Sequence, residues 1–323
     1  MIRLAYILAA SHSGSTLLAM LLNAHSDVCT VGELKVTNLG DVDRYRCSCG
    51  QPIRQCRFWA DVGANMARRG FSFDITDART AFRSVDTAYT RGLLRPLHRG
   101  LLLEGLRGAA LRLSPAWRTG LPEIQRRNVA IVETLCELTG ARIVVDSSKV
   151  GLRLKYLLRN SQLDVRVIRL IRDGRAVALT YTDPANYADA TDPTLRGGGT
   201  GGDRADERLS IAEAAREWRR SNEEAEHILA SLDHSRWIEI RYEQLCTDPE
   251  ATLARLFAFL GVDPTQITRD FHSADHHVLG NGMRLDSTWE IRLDERWRAA
   301  LTQQDLRAFD SRARKVNRRY GYG

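Results

Sequence analysis

The chain has 323 residues, 43% of them hydrophobic and 27% charged, which is the balance of a soluble globular protein with ample core. That length allows one large or two medium domains, and no apolar stretch is long enough to span a bilayer. A net charge of +7 favours anionic partners, a class that includes nucleotides, sulfated or phosphorylated substrates, nucleic acid and membrane surfaces.

The first ten residues are apolar with one Arg and run into a polar turn with no cleavage-type region between, so they read as a core strand rather than a signal peptide, and the cytoplasm is the expected compartment. The run Leu4-Ala5-Tyr6-Ile7-Leu8-Ala9-Ala10 meets Ser11-His12-Ser13-Gly14-Ser15-Thr16, and a helical apolar pattern then runs from Leu17 to Leu22 and stops at Asn23-Ala24-His25. Strand, tight turn and helix start bring several backbone N–H groups and the positive helix end to one point, which predicts a phosphate-binding loop over residues 13–17. Ser13, Ser15 and Thr16 add hydroxyl donors; the plainer alternative is a strand-to-helix turn with a Ser/Thr cap. With one Gly and no Lys, the loop departs from the Gly-x-x-x-x-Gly-Lys-Ser/Thr of triphosphate sites, so its anion needs neither a metal nor a full triphosphate cradle.

Asp27 to Val31 is a short strand ending at Gly32-Glu33. Of six cysteines, Cys29, Cys136 and Cys246 lie in apolar or helical contexts and read as core residues. Cys47-Ser48-Cys49-Gly50 followed by Cys56 groups three thiols with neither a standard zinc spacing nor a fourth ligand nearby in sequence. A structural role is expected there; zinc, a labile disulfide and free loop thiols all stay open. Residues 58–140 are mostly helical in pattern, punctuated at Pro96, Pro115 and Pro122. Within them Arg91 to Leu113 alternates Leu with Arg, Leu97, Leu101, Arg95 and Arg99 included. The expected arrangement packs the Leu face on the core and leaves Arg in water, although such a helix also suits a membrane surface or a lipid-like acceptor.

Arg142 to Asp146, Val165 to Ile171 and Trp237 to Ile240 are further strands, each ending in a polar turn and a helix. The repeat predicts an α/β fold, a parallel sheet flanked by helices, with Ser13, Glu33, Lys149 and Arg172 together at the strands' carboxyl ends. Residues 183–208, with Gly197 to Gly202, read as a mobile loop suited to a lid over an acceptor. Ile211 to Leu232 is a helix, and Arg-rich helical segments follow Trp289. The whole chain, 1–323, reads as one domain with 58–140 as a helical insertion.

Four ordered blocks carry a resemblance. Ser13-Gly14-Ser15-Thr16-Leu17 with Asn23-Ala24-His25-x-Asp27-Val28 and Gly32-Glu33, then Ile171-Arg172-Asp173-Gly174-Arg175-Ala176-Val177, then Arg241-Tyr242-Glu243-x-Leu245 with Asp248-Pro249 and Phe259-Leu260-Gly261, and finally Gly280-Asn281-Gly282-Met283-Arg284, together resemble sulfotransferases that use 3′-phosphoadenosine 5′-phosphosulfate. The Golgi carbohydrate and protein-tyrosine branches and their bacterial relatives are similar. The resemblance implies a P-loop-type fold and transfer of a sulfuryl group to an acceptor hydroxyl, with adenosine 3′,5′-bisphosphate as product and no metal required. It implies that Ser13, Gly14, Ser15, Thr16 and Leu17 hold the 5′-phosphosulfate, Arg172 and Thr180 the 3′-phosphate, and Tyr242 the adenosine or a phosphate. Pro184 stands where the tyrosine-directed branch has a further Arg, so that contact is either absent or supplied from elsewhere, with Arg284 the candidate. It implies Glu33 as general base and Lys149 as the cation beside the sulfuryl group. His12 stands where relatives place Arg or Lys, so either His12 donates a proton to the leaving oxygen or Lys149 carries the charge alone. Two other readings are a P-loop kinase or phosphotransferase, disfavoured by the missing Lys, and a nucleic-acid-binding protein, disfavoured by Lys and Arg spread along the chain without a recognised motif.

Overall fold

A computed structural model describes residues 2–35, 39–84, 87–94, 100–201, 204–267, 277–286 and 291–323. Five strands form one parallel sheet: β1 (Ile2–Ala9), β2 (Val28–Thr30), β3 (Ile143–Lys149), β4 (Leu163–Ile171) and β5 (Trp237–Arg241), in the order β2-β3-β1-β4-β5. All five fall where the apolar runs predict them. The chain lays β2 and β3 on one side of β1 and then crosses to place β4 and β5 on the other, so β1 is central and its carboxyl end faces the reversal point.

The period of two along β1 assigns its faces. Leu4, Tyr6 and Leu8 belong to a core shared with α2 (Arg57–Arg68), α5 (Pro115–Thr139) and α6 (Gly151–Leu157). Between α2 and α5 lie α3 (Ala88–Leu93) and α4 (Gly100–Leu113). Ala5, Ile7 and Ala9 enter a second core with α1 (Ser15–Leu22), α11 (Tyr242–Thr247) and α12 (Pro249–Leu260). A third cluster, around Trp218 and Phe309, joins α7 (Gly174–Thr182), α10 (Ile211–Leu229), α13 (Trp297–Ala300) and α14 (Gln303–Arg319). Residues 183–201 and 204–208 carry short helical turns, including α8 (Pro184–Tyr187) and α9 (Arg196–Gly199). No helix among the described residues is long and apolar enough to cross a membrane.

Two expectations for residues 58–140 fail. Pro115 starts α5, with the Ser114 side chain accepting from the Trp117 N–H, but Pro122 lies inside that helix. It is exposed, so the carbonyl it leaves without an N–H partner can turn to water. Pro96 lies outside the described residues, as do Arg95, Leu97, Arg99 and Trp289. In α4 the expected burial holds for Leu111, which packs in the core beside an exposed Arg112, but fails for the other leucines described. Leu102, Leu103, Leu106 and Leu113 are exposed, whereas Arg107 is drawn down against a largely buried Glu104, which also pairs with Lys155 of α6. The ion pair fixed to α6 shares the inward side of α4 with Leu111, and Leu102, Leu103, Leu106 and Leu113 are left outside.

One buried carboxylate fastens the sheet to its loops. Asp146, fully buried in β3, accepts from the Leu34 N–H at 3.2 Å, from the Ser148 N–H at 2.9 Å and from the Ser148 hydroxyl at 2.5 Å. Its other oxygen takes Nε of Arg153 on α6 at 2.8 Å, and that guanidinium also donates to Thr80 O and to Asn128 Oδ1 on α5. Thr80 in turn donates its hydroxyl to Leu34 O. Asp146→Ala leaves the Arg153 charge buried without its anion. Urea unfolding should therefore show a loss of about 3–5 kcal/mol; a loss below about 1 kcal/mol would show that the pair anchors nothing.

Candidate functional site

The carboxyl ends of β1, β3, β4 and β5 open onto a cavity of about 850 Å³, lined by His12, Lys149, Arg172 and Tyr242 among others. The turn after β1 enters it first. Gly14 is left-handed (φ 88°, ψ 18°), and its carbonyl accepts the Leu18 N–H at 3.0 Å as α1 begins. A Cβ at this position would stand 2.5 Å from Cδ2 of Tyr242, so only glycine lets the aromatic ring lie on the loop. Ser15, Thr16 and Leu17 form the first turn of α1 and line the cavity. Ser13 is 1% exposed and its hydroxyl has no hydrogen-bond partner in the protein. A buried hydroxyl without a partner, beside the N–H groups of a helix start, calls for a ligand acceptor.

His12 is also left-handed (φ 62°), with its ring edge-on to Tyr181 at 4.5 Å between centroids and its Nε2 buried without a partner. Burial, reinforced by Arg204, Lys149 and Arg172, holds the imidazole down to about 3. His12 is thus neutral near pH 7. It cannot replace the charge of an Arg or Lys at this position, and a neutral N–H is what it has to offer.

Glu33 and Lys149 meet directly. Lys149 Nζ donates to Glu33 Oε1, while Lys35 Nζ lies 3.0 Å from Oε2. Burial pulls the Glu33 carboxyl up, but the charges and hydrogen bonds of the two lysines prevail and hold it at about 2. Both sides of this pair are set by Asp146, since Leu34 and Ser148, their chain neighbours, bond to its Oδ1. Ser148 Oγ also accepts the Lys35 N–H at 3.1 Å. Lys149 turns left-handed (φ 67°) at the strand end.

Arg172, at the end of β4, is 5% exposed. Its Nη1 donates to His12 O at 2.9 Å, its Nη2 reaches Asp294 Oδ2 at 2.9 Å, and the guanidinium lies 4.4 Å from the Tyr242 ring centroid. Asp294 is shared with Arg296, whose Nε and Nη2 reach its two oxygens at 2.8 and 3.0 Å. Burial raises the Asp294 carboxyl, but Arg296 and Arg172 outweigh that and bring it to about 2. The following turn is held from two sides, as Glu243 Oε1 accepts the Asp173 N–H and Asn317 Oδ1 the Gly174 N–H, each at 3.0 Å.

Three expected residues do not line the cavity, and Ser13, buried within the turn, is the first of them. Thr180 is 1% exposed in α7 and donates its hydroxyl to Ala176 O at 2.9 Å, one helical turn back. Arg284 is 3% exposed and spends its donors on the carbonyls of Val278, Gly280, Asn281 and Arg46, stacked over Tyr45. It braces a loop and has no fork left for a phosphate. In turn, Lys35, Asp294 and Arg296 line the cavity without having been singled out in the sequence. Lys35 had a signal in its nearness to Glu33; Asp294 and Arg296 had none, being defined by contact with Arg172 across the fold.

A second cavity, about 460 Å³, shares Ser11, Lys35 and Lys149 with the first and adds Phe82, Arg83, Leu152 and Arg220. The glycine-rich stretch lines the first cavity through Asp189, Gly197, Thr200 and Arg204. Among the described residues, the helical stretch 58–140 reaches only the second, through Ala81, Phe82 and Arg83.

Residues 135–266 match a family model described as "Sulfotransferase family". Among solved structures, the chain is similar to the sulfotransferase domain from the curacin biosynthetic pathway, at 18% identity over 96% of this chain and 97% of that one, with a TM-score of 0.49. It is also similar to sulfotransferase STF9 from Mycobacterium avium, at 12% identity over 96% and 75% with a TM-score of 0.45. A third, retinol dehydratase in complex with androsterone and inactive cofactor PAP, aligns at 15% identity over 97% and 80% with a TM-score of 0.39. No curated protein matches the sequence. The matched stretch, 135–266, runs from the end of α5 through β3, β4 and β5 to just beyond α12, and over that stretch the chain is similar to the sulfotransferase family.

Proposed function

We propose that the chain transfers a sulfuryl group from 3′-phosphoadenosine 5′-phosphosulfate to an acceptor hydroxyl. The observation that carries this reading is the glycine turn at a helix start, whose residues Gly14 to Leu17 line one cavity with Lys149 and Arg172 while the Ser13 hydroxyl within the turn is buried without a partner. The family match over residues 135–266 supports the same chemistry. When bound, the donor supplies an activated sulfuryl group and a bisphosphate leaving group, so positioning and charge are the protein's share of the work. The N–H groups of residues 14–17 and the hydroxyls of Ser13, Ser15 and Thr16 would hold the 5′-phosphosulfate. Arg172, with Tyr242 against its guanidinium, would take the 3′-phosphate in place of Asp294.

Glu33 and Lys149 act as a coupled pair in this reading. A carboxylate held at about 2 is a poor proton acceptor near neutrality, because a general base works best with a pKa near the working pH. If Lys149 turns from Glu33 to sulfuryl oxygens, one movement adds positive charge where negative charge develops and raises the basicity of Glu33. His12 then contributes a neutral hydrogen bond. The acceptor hydroxyl enters through the second cavity, whose junction with the first is at Ser11, Lys35 and Lys149.

We read residues 1–323 as one catalytic domain, because α5 of the 58–140 stretch shares a core with the sheet. Six free cysteines suit a reducing, cytoplasmic setting.

Thermal shift is the first test. Adenosine 3′,5′-bisphosphate should raise Tm strongly and ATP with magnesium should not; the reverse result would make the chain a phosphotransferase. Lys149→Ala should cut turnover about 10²- to 10³-fold with bisphosphate affinity nearly unchanged, and a parallel loss of affinity would place Lys149 in binding instead. Carboxyl carbon NMR tests the coupling. Glu33 should titrate near 2 in the wild type and move up toward the ordinary 4.5 in Lys149→Ala. A folded value below the ordinary one means that the Glu33 pairs stabilise the fold above about pH 4.5 and are lost as pH falls toward 2, so Lys149→Ala should shrink the stability lost across that window.

A further inference from the structure

Away from the cavity's reactive end, the fold gathers four side chains that the sequence scatters. Cys47, Cys49 and Cys56 lie on one loop, and His277 joins them from a segment 221 residues beyond Cys56. Their ligand atoms all lie within 4.8 Å of one another. Cys49 Sγ is 3.7 Å from Cys56 Sγ, and His277 Nδ1 is 3.5 Å from Cys56 Sγ and 3.6 Å from Cys47 Sγ.

These separations have a direct geometric meaning. Tetrahedral zinc with Zn–S near 2.3 Å and Zn–N near 2.05 Å sets S···S edges of about 3.8 Å and S···N edges of about 3.6 Å. The three separations fit those edges. A disulfide needs sulfurs about 2.05 Å apart, so the pair at 3.7 Å is unbonded, and all six cysteines are free. We propose that Cys47, Cys49, Cys56 and His277 form a structural zinc site of the Cys₃His type.

The surroundings are built to hold those ligands. The Phe58 ring stacks on the His277 imidazole, 4.2 Å between centroids and 4° from parallel, which fixes the plane of the ring. Ser48 Oγ accepts the Val278 N–H at 2.8 Å, tying the loop to the histidine's own segment. Gly50, left-handed at φ 82°, closes the turn that returns its N–H to Cys47 O at 2.9 Å. Cys47 and Cys56 are buried, Cys49 is exposed and His277 half-buried, which leaves the metal an entry path. Four protein ligands close the coordination sphere, so the site is structural and separate from the transfer chemistry.

The site would also brace the cavity. The segment after His277 continues to Leu279, whose N–H donates to Val31 O at 2.9 Å, and to Gly280, whose N–H and carbonyl both bond the Tyr45 hydroxyl. Tyr45, Leu279 and Gly280 line the cavity, and Gly32, bridged to Leu279, precedes Glu33. Zinc would clamp the 45–56 loop to residues 277–280 and so hold one wall in place.

Elemental analysis of the full chain purified without chelator should find about one zinc per chain, and Co(II) exchanged into it should give the visible bands of a tetrahedral thiolate site. Cys56→Ser and His277→Ala should lose the metal, whereas Cys136→Ser, outside the cluster, should retain it. Should the ligand variants fail to fold, the wild-type metal content and cobalt spectrum decide alone. Folded protein without metal whose thiols all react, a Cys49–Cys56 disulfide, or iron in place of zinc would each overturn the assignment.

Discussion

The Asp146 carboxylate is the constraint on which the rest of the site depends. It sits in β3 beside the central strand with no exposure to solvent, and a charge in that position must be answered on every lone pair. The answers come from elements distant in sequence: the loop carrying Glu33, the strand end carrying Lys149, and through Arg153 the helices α5 and α6 together with Thr80. Satisfying one buried anion therefore fixes where two cavity residues stand relative to each other. The glutamate–lysine contact follows from this frame rather than from its own attraction.

Charge in the cavity is arranged so that each group changes its neighbour's state. Two lysines keep Glu33 ionised and weakly basic, while burial and three nearby cations keep His12 neutral. The turn after β1 thus contributes N–H groups, hydroxyls and an uncharged imidazole, and its formal positive charge comes from β3 and β4. In the proposed reaction, this division of labour among strand ends lets the loop dispense with a lysine of its own.

The sheet was legible because periodicity and short apolar runs report burial, and all five strands follow them. The loop, Glu33, Lys149, Arg172 and Tyr242 were legible because each closes a strand, and parallel strands put their carboxyl ends on one edge. Thr180 and Arg284 were misplaced because a residue type says what a side chain can bond, not what the fold has already given it: Thr180 found its own helix, and Arg284 found four carbonyls. Leu102, Leu103, Leu106 and Leu113 of α4 were misread for a related reason, since the Glu104 contacts to Arg107 and Lys155 hold part of the inward side that Leu111 alone occupies among the leucines described. His277 was invisible as a partner of the cysteines because its distance along the chain carries no trace of its distance in space.

Asp294 gives the cavity one further property. Its carboxylate already lies between Arg172 and Arg296, so the positive charge there is spoken for before any ligand arrives. An anion that seats on Arg172 enters by exchange with a resident one, and Asp294 gives up one of its two arginine partners while Arg296 keeps it and its segment in place. At the subsite proposed for Arg172, the arginine's intrinsic affinity for an anion is therefore masked by the cost of displacing its tethered counter-ion.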